Sequence, residues 1–239
     1  MYKKLASLLT KTPLHPQWLV FRHEVKMKKQ VISLAKGQVL DIGCADQSLK
    51  PMLSDKCSYT GLDYPGTVNS MYKTQPMIFG DAQALPVRGA SMDTVVLMEV
   101  LEHVPNIDSA ISEVFRILKQ DGLFLFSMPF LYPIHDIPFD FQRLTIHGLR
   151  RIMNQHSFEI IEEQAFGSPL ETAGLMINLA ISKTILNSIK KKNPAILLGL
   201  FLPLFIPIVN LFAWFFDKTT PTDEFMPTGY MLILKKNPE

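Results

Sequence analysis

The stretch VLDIGCADQSL, residues 39–49, decides how this chain is read. An apolar run meets Asp41 and Gly43 and then turns polar, as a strand does when it enters a glycine loop ahead of a helix. A glycine at such a turn lets the backbone approach a ligand where a side chain would collide. A dinucleotide loop shows G-x-G-x-x-G, but Ala45 and Gln47 stand here where further glycines are expected. Ala45 adds only a methyl and fits if its φ is negative, whereas Gln47 is costly only if its φ is positive.

Outward from this loop, strands and helices alternate. QVLDIG (38–43), YTGLD (59–63), PMIFGD (76–81), DTVVLME (93–99), LFLFSMP (123–129), FEIIEEQAF (158–166) and GYMLILKK (229–236) read as strands. Helical spacing covers 17–35, a short piece at 48–53, residues 106–119 opened by Asn106 and closed by Asp121-Gly122, and 145–155 capped by Thr145. The uninterrupted apolar run at 93–99 fits a central parallel strand buried on both faces. The fold class expected is α/β: a doubly wound, mostly parallel sheet of seven strands with a hydrophobic helical insertion before the last one. Its ligand belongs at the carboxyl ends of the strands. The expected organisation is an N-terminal helical segment (1–36), a core (37–166), the insertion (167–226) and the last strand of the same sheet (227–239).

Two strand ends carry acids at informative spacing. Asp63 closes the second strand about twenty residues after the loop, where a carboxylate can accept both hydroxyls of a ribose. Asp81-Ala82 follows the third, where an acid can accept from an adenine amine, although Gly-Asp is also a turn signal. Asp41 can line a ligand or cap loop amides. No GxxxxGK[ST] is present, which argues against ATP hydrolysis. The ligand these residues suit bears an adenosine.

VLDIGCADQSL, YTGLD, GDAQALPVRGASMDTVVLMEVLEHVPN and RILKQDGLFLFSMP together resemble the class I S-adenosylmethionine-dependent methyltransferases, in the branch of methyltransferase type 11. The landmarks are Asp41–Ala45, Pro86–Asp93 and Leu101–Val104, and the likeness covers roughly 37–166. The block HDIPFDFQRLTIHGLRRIM (135–153) is similar to a region of members that modify sugars, lipids or quinones. The resemblance implies a Rossmann-like sheet and S-adenosyl-L-methionine as cofactor. It places Asp41, Gly43 and Ala45 at the methionine part, Asp63 at the ribose, and Asp81 and Ala82 at the adenine, with Cys44 and Tyr64 also among the cofactor-binding residues. Glu99 would stand near the sulfonium, where a capping acid is the other reading. A sulfonium is a cation, so an acidic rim without lysine suits it.

Two histidines are candidate proton acceptors, His103 after the fourth strand and His135 on the loop after the fifth; a packed, hydrogen-bonded group is the alternative for His103. Asp136, Asp140 and Arg143 on that loop are candidate substrate contacts, and Arg143 can equally tie the loop to the core by an ion pair. Cys44 reads as a small packing residue, since nothing nearby lowers its pKa. With two cysteines and no CxxC or Cys/His spacing, neither a zinc site nor a disulfide framework is expected, and the metal expectation is none.

Of 239 residues, 47% are hydrophobic, enough for a sizeable core. The net charge of +2 is too balanced for a nucleic-acid binder. Lys3 and Lys4 precede LASLL, which is too short for a signal peptide, so the catalytic part is expected in the cytoplasm. AILLGLFLPLFIPIVNLFAWFF (195–216) has the length of a membrane span, and Pro203 and Pro207 suggest a broken helix or helical hairpin. Lys190, Lys191, Lys192, Lys218 and Trp214 around it suit an anionic lipid surface, while Lys183 opposes a second full span through 170–189. If 229–236 rejoins the sheet, a single crossing is excluded. The expectation is a cytoplasmic enzyme held monotopically on the inner face of a membrane, methylating a lipid, quinone or lipid-linked glycan. The alternative is a non-catalytic cofactor-binding or membrane scaffold protein.

Overall fold

The computed structural model describes residues 9–68, 71, 73–221 and 223–237; Lys3, Lys4 and residues 5–8 of the LASLL stretch lie outside them. Seven strands form one sheet in the order β3-β2-β1-β4-β5-β7-β6. They are β1 (Gln38–Ile42), β2 (Ser58–Asp63), β3 (Ile78–Phe79), β4 (Met92–Met98), β5 (Leu118–Pro129), β6 (Phe158–Phe166) and β7 (Gly229–Lys236). β1 runs parallel to β2 and β4, β2 to β3, and β4 to β5, whereas β7 runs antiparallel to β5. This is the doubly wound, mostly parallel, Rossmann-like sheet expected from the sequence, with an apolar helix before the last strand.

The helices are α1 (Trp18–Leu34), α2 (Ile107–Ile117), α3 (Ile146–Gln155), α4 (Pro169–Lys190) and α5 (Leu202–Thr219). Thr94, Val95, Val96 and Leu97 of β4 are all buried, as a central strand covered on both faces requires. α2 starts where the Asn106 side chain accepts the Ser109 N–H at 3.1 Å. It buries Ile107, Ala110, Ile111, Val114 and Ile117, one stripe at helical spacing. It ends sooner than the sequence suggested, because Leu118 already pairs with Met92 across a register shift. β3 keeps only two of the six residues expected of it. In α1 the buried positions are Leu19, Met27 and Val31, and Val25 is exposed.

The described residues form two compact units. The larger holds Met27–Phe130, Ile134–Gln164 and the residues from Gly229 on, and so contains most of the sheet. The other holds the residues up to Lys26, Leu131–Pro133 and Ala165–Thr228. In that second unit α4 and α5 pack against each other. Their close approach is at Gly174, where an added Cβ would lie 3.3 Å from both the Ala213 Cβ and the Val209 Cγ1. Asn210, fully buried, accepts from Asn178 Nδ2 at 3.0 Å and donates to the Pro13 and His15 carbonyls at 2.7 and 2.9 Å. Pro203 lies in the first turn of α5, after a 3-10 segment at Pro194–Phe201, while Pro207 is accommodated inside the helix. The break in the apolar run therefore falls at residues 201–202.

A side chain at Gly174 has no room. Gly174→Leu is expected to cost about 1–3 kcal/mol by forcing α4 and α5 apart. Limited proteolysis would show this as faster cleavage within 169–219 than in the parent protein.

Candidate active site

Strand order reverses between β1 and β4, and a cavity of about 320 Å³ opens at their carboxyl ends. Gly43 follows β1 with φ +73°, and a Cβ there would lie 2.3 Å from Val100 Cγ2 just after β4. Two demands, a left-handed backbone and no side chain, both require glycine. The Gly43 and Cys44 amides donate to the Leu62 carbonyl at 2.8 and 3.2 Å, pinning the loop to β2. Ala45 and Gln47 have φ of +43° and +56°, so the negative φ that would suit Ala45 is not found, and Gln47 adopts the costly one. Left-handed backbone at these positions costs about 1–2 kcal/mol each. Hydrogen bonds oppose that cost: Asp63 Oδ2 accepts the Ala45 N–H at 2.9 Å, and Gln47 Nε2 donates to the Gln75 carbonyl at 2.8 Å. The loop keeps a glycine-type shape without the glycines.

Of the residues the sequence nominates, Gly43, Ala45, Asp63, Tyr64, Asp81, Ala82 and Glu99 line the cavity, together with His103 and Asp136. Asp41 and Cys44 do not. Asp41 is buried at the end of β1 and accepts the Tyr59 hydroxyl at 2.7 Å. Cys44 faces β2, with Sγ 2.9 Å from where a Cβ on Gly61 would sit. Asp63 also accepts the Tyr64 N–H at 2.7 Å, and Asp81 accepts the Gln83 N–H at 2.8 Å, so its turn role and its place at the cavity coexist. Glu99, at φ +55°, accepts the Ser127 hydroxyl at 2.5 Å. Asp63, Asp81, Glu99 and Asp136 give the cavity four carboxylates, and among its described lining residues there is no lysine or arginine.

Burial dominates the local acidities. It pushes Asp41 up to about 6 against the opposing Tyr59 hydrogen bond, and raises Asp63 although two backbone N–H groups favour its charged form. Burial also pushes the Cys44 thiol up to about 12, which suits a packing residue.

The loop after β5 brings the two histidines together, rings 4.9 Å apart and near perpendicular. His103 Nδ1 lies 2.9 Å from the Phe139 carbonyl, an acceptor only, so that nitrogen carries a proton. Burial lowers the His103 pKa, with the Phe139 bond opposing, and the neutral ring presents Nε2 as a lone pair. Arg143 forks onto both oxygens of Asp140, which also accepts the His135 N–H at 2.9 Å. Arg143 thus pairs within its own loop and not with the core; His135, Asp140 and Arg143 do not line the cavity.

One residue escaped the sequence reading. Glu102 is fully buried, and neither carboxylate oxygen has a hydrogen-bond partner. Burial and the nearby Glu99 raise its pKa well above the usual range. The available signal was its position three residues after Glu99 and directly before His103. Phe139 and Phe141, which also line the cavity, gave no signal beyond a generally aromatic loop.

The raised Asp41 has a consequence for stability. A carboxyl whose folded pKa exceeds its unfolded one contributes stability below about pH 4, and that contribution is lost as pH rises through about 6. Asp41→Asn keeps an acceptor for Tyr59 and removes the buried charge. It should stabilise the protein by about 3 kcal/mol at neutral pH and by almost nothing near pH 4. Urea midpoints of both proteins at the two pH values check this.

Residues 40–126 match the family model for a methyltransferase domain. The chain is 30% identical over 150 residues, 58% of each chain, to a "probable S-adenosylmethionine-dependent methyltransferase" of Mycolicibacterium smegmatis, and so spans little more than half of that curated relative. It is 26% identical over 168 residues to a demethylmenaquinone methyltransferase of Staphylococcus epidermidis, covering 64% of this chain and 69% of the other. Among solved structures, the [4+2]-cyclase SpnF superposes with a TM-score of 0.55 at 16% identity, over 91% of this chain and 81% of that one, a likeness of fold alone. The methyltransferase-domain match thus covers residues 40–126, and the sheet with its loop after β1 agrees with that match in fold.

Proposed function

We propose that this chain transfers a methyl group from S-adenosyl-L-methionine to an amphiphilic acceptor, a lipid, quinone or lipid-linked glycan, at a membrane surface. The observation that carries the reading is the cavity at the β1/β4 reversal, rimmed by carboxylates and without lysine or arginine among its described lining residues. The residues fit the cofactor by the chemistry of their donors. Asp63, at the end of β2, offers carboxylate lone pairs to a diol, and Asp81 with Ala82 offers an acceptor beside a small apolar surface. When bound, the cofactor supplies an electrophilic methyl on a sulfonium. The chain's own part is to position and desolvate the acceptor under Phe139 and Phe141, and to take a proton at His103 Nε2. Asp41 supports the loop from beneath, and Cys44 offers a ligand only its backbone.

Asp63→Ala should weaken S-adenosylmethionine binding at least about tenfold, since hydrogen bonds to a charged acceptor are each worth about 1.5–3 kcal/mol. Isothermal titration calorimetry with the purified full chain measures this; no binding to the parent protein at millimolar cofactor would end the reading.

The acceptor class draws on the second unit. Within Pro194–Thr219 an 18-residue window has mean hydropathy 2.4, and only 11% of that window is buried. Leu197, Leu198, Leu200, Phe201, Leu204 and Ile208 are each more than half exposed. A patch of that size on a soluble chain is a docking surface. Lys190, Lys191, Lys192 and Lys218 flank it and are exposed, as at an anionic lipid headgroup layer. β6 and β7 belong to one sheet, so the insertion leaves and rejoins the same side of any bilayer, which favours an interfacial hairpin over a span. The named substrate of the menaquinone relative is compatible with such a surface. In flotation with vesicles of anionic phospholipid the protein should rise with the lipid. Leu200→Glu with Phe201→Glu should abolish that, and alanines at 190–192 should weaken it by about 1 kcal/mol per lysine at low salt.

A second reading, a cofactor-binding or membrane scaffold protein that transfers no methyl, draws on Ala45 and Gln47 in glycine-type backbone. Saturable cofactor binding without turnover on membrane extracts would favour it.

A further inference from the structure

The geometry points to a divalent metal site formed by Glu102, His103 and His135, at which a hydroxyl-bearing acceptor is held through its oxygen. The three ligand atoms lie within 4.8 Å of one another. Glu102 Oε1 is 3.6 Å from His103 Nε2 and 3.9 Å from His135 Nε2. Those distances are too long for a shared proton. They are in the range for two ligands on one ion, which at about 2.0–2.2 Å per bond stand between about 3 and 4.4 Å apart.

Proton placement points the same way. His103 Nδ1 donates to the Phe139 carbonyl. His135 Nδ1 accepts from Arg143 Nη2 at 3.4 Å, with Asp140 Oδ2 at 3.3 Å. His103 thus turns an Nε2 lone pair toward Glu102, and metal binding would move the His135 proton from Nε2 to Nδ1, where Asp140 Oδ2 can accept it. Outer partners holding each ligand histidine by Nδ1 are the usual support of a metal site. Glu102 is the independent observation: it is fully buried, with neither oxygen hydrogen-bonded. The charges around it add to the deficit, because Glu99, Asp136 and Asp140 are acidic and Arg143 forks onto Asp140. Mixed imidazole and carboxylate ligands suit zinc, manganese, cobalt or iron better than calcium. Local spacing in the sequence could not show the site, because His135 joins Glu102 and His103 only in the fold.

His103 also lines the cavity, so the open coordination positions face it. A metal there lowers the pKa of a bound hydroxyl. With the metal bound, His103 Nε2 is a ligand and no longer the proton acceptor; the proton leaves to water or a neighbouring carboxylate, the oxygen's electron pair forms the new C–O bond, and the C–S bond breaks with its pair staying on sulfur. The choice of oxygen as the methylated atom rests on the methyl-transfer reading; metal binding does not.

The test uses the full chain, freed of metal by a chelator, titrated with cobalt(II) by visible absorption and with zinc or manganese by calorimetry. About one ion per chain is expected, with a ligand-field band in the visible. Glu102→Gln and His135→Gln should each weaken it at least about tenfold. Neither should change S-adenosylmethionine affinity, which also confirms that the variants are folded. No binding at about 1 mM metal, or equal binding by both variants, overturns the site. Added catechol, a probe hydroxyl pair, should shift the cobalt band; an unchanged band overturns the acceptor class. Failure of the cofactor titration alone strikes the methyl-transfer reading and leaves the metal result standing.

Discussion

The bond from the Ala45 amide to Asp63 Oδ2, at 2.9 Å, is the interaction on which the cavity depends. It joins the loop after β1 to the end of β2, across the place where strand order turns back on itself. Two residues of that loop sit in left-handed backbone that glycine would adopt freely. Ala45 is kept there by a carboxylate that is itself buried and held by a second amide, that of Tyr64, while Gln47 is tied to the Gln75 carbonyl. Remove the carboxylate and the loop loses its tie as well as an acceptor for a ligand. Positioning and binding are properties of one side chain, so neither can be weakened alone.

The larger unit also carries an unusual load of acid. Asp41 and Glu102 are buried, Asp63 nearly so, and burial raises all three. Such groups destabilise a fold at neutral pH. The rest of the unit offsets this by apolar packing, with Leu40, Val95, Leu97, Phe124, Leu125 and Phe126 fully enclosed. Strain and unpaired charge concentrated around one cavity are what a site built for a cationic ligand would show.

How much of this was legible beforehand depended on the range of the signal. The alternation of strands and helices is local, and the periodicity of 106–119 or the solid apolar run at 93–99 announced its element directly. Asp63 and Asp81 were legible because strand ends fix where their side chains emerge. Ala45 and Gln47 were named as the anomalous positions, but φ is a tertiary outcome: Asp63, eighteen residues away, holds Ala45, and Gln75, twenty-eight away, holds Gln47. Glu102 was invisible for a similar reason: burial without a partner is a property of the assembled fold. Cys44 and Asp41 belonged to the right motif yet face away from the cavity, since successive residues of a strand and its turn point to opposite sides.

β7 lies between β5 and β6 in the sheet, and the entire 167–228 segment is made before it. On a chain that emerges from its N-terminus, β6 has no hydrogen-bonded neighbour among the described strands until β7 arrives. The apolar segment is therefore complete while the sheet still lacks β7. Assembly order leaves its exposed leucines and phenylalanines made before the last strand joins the sheet.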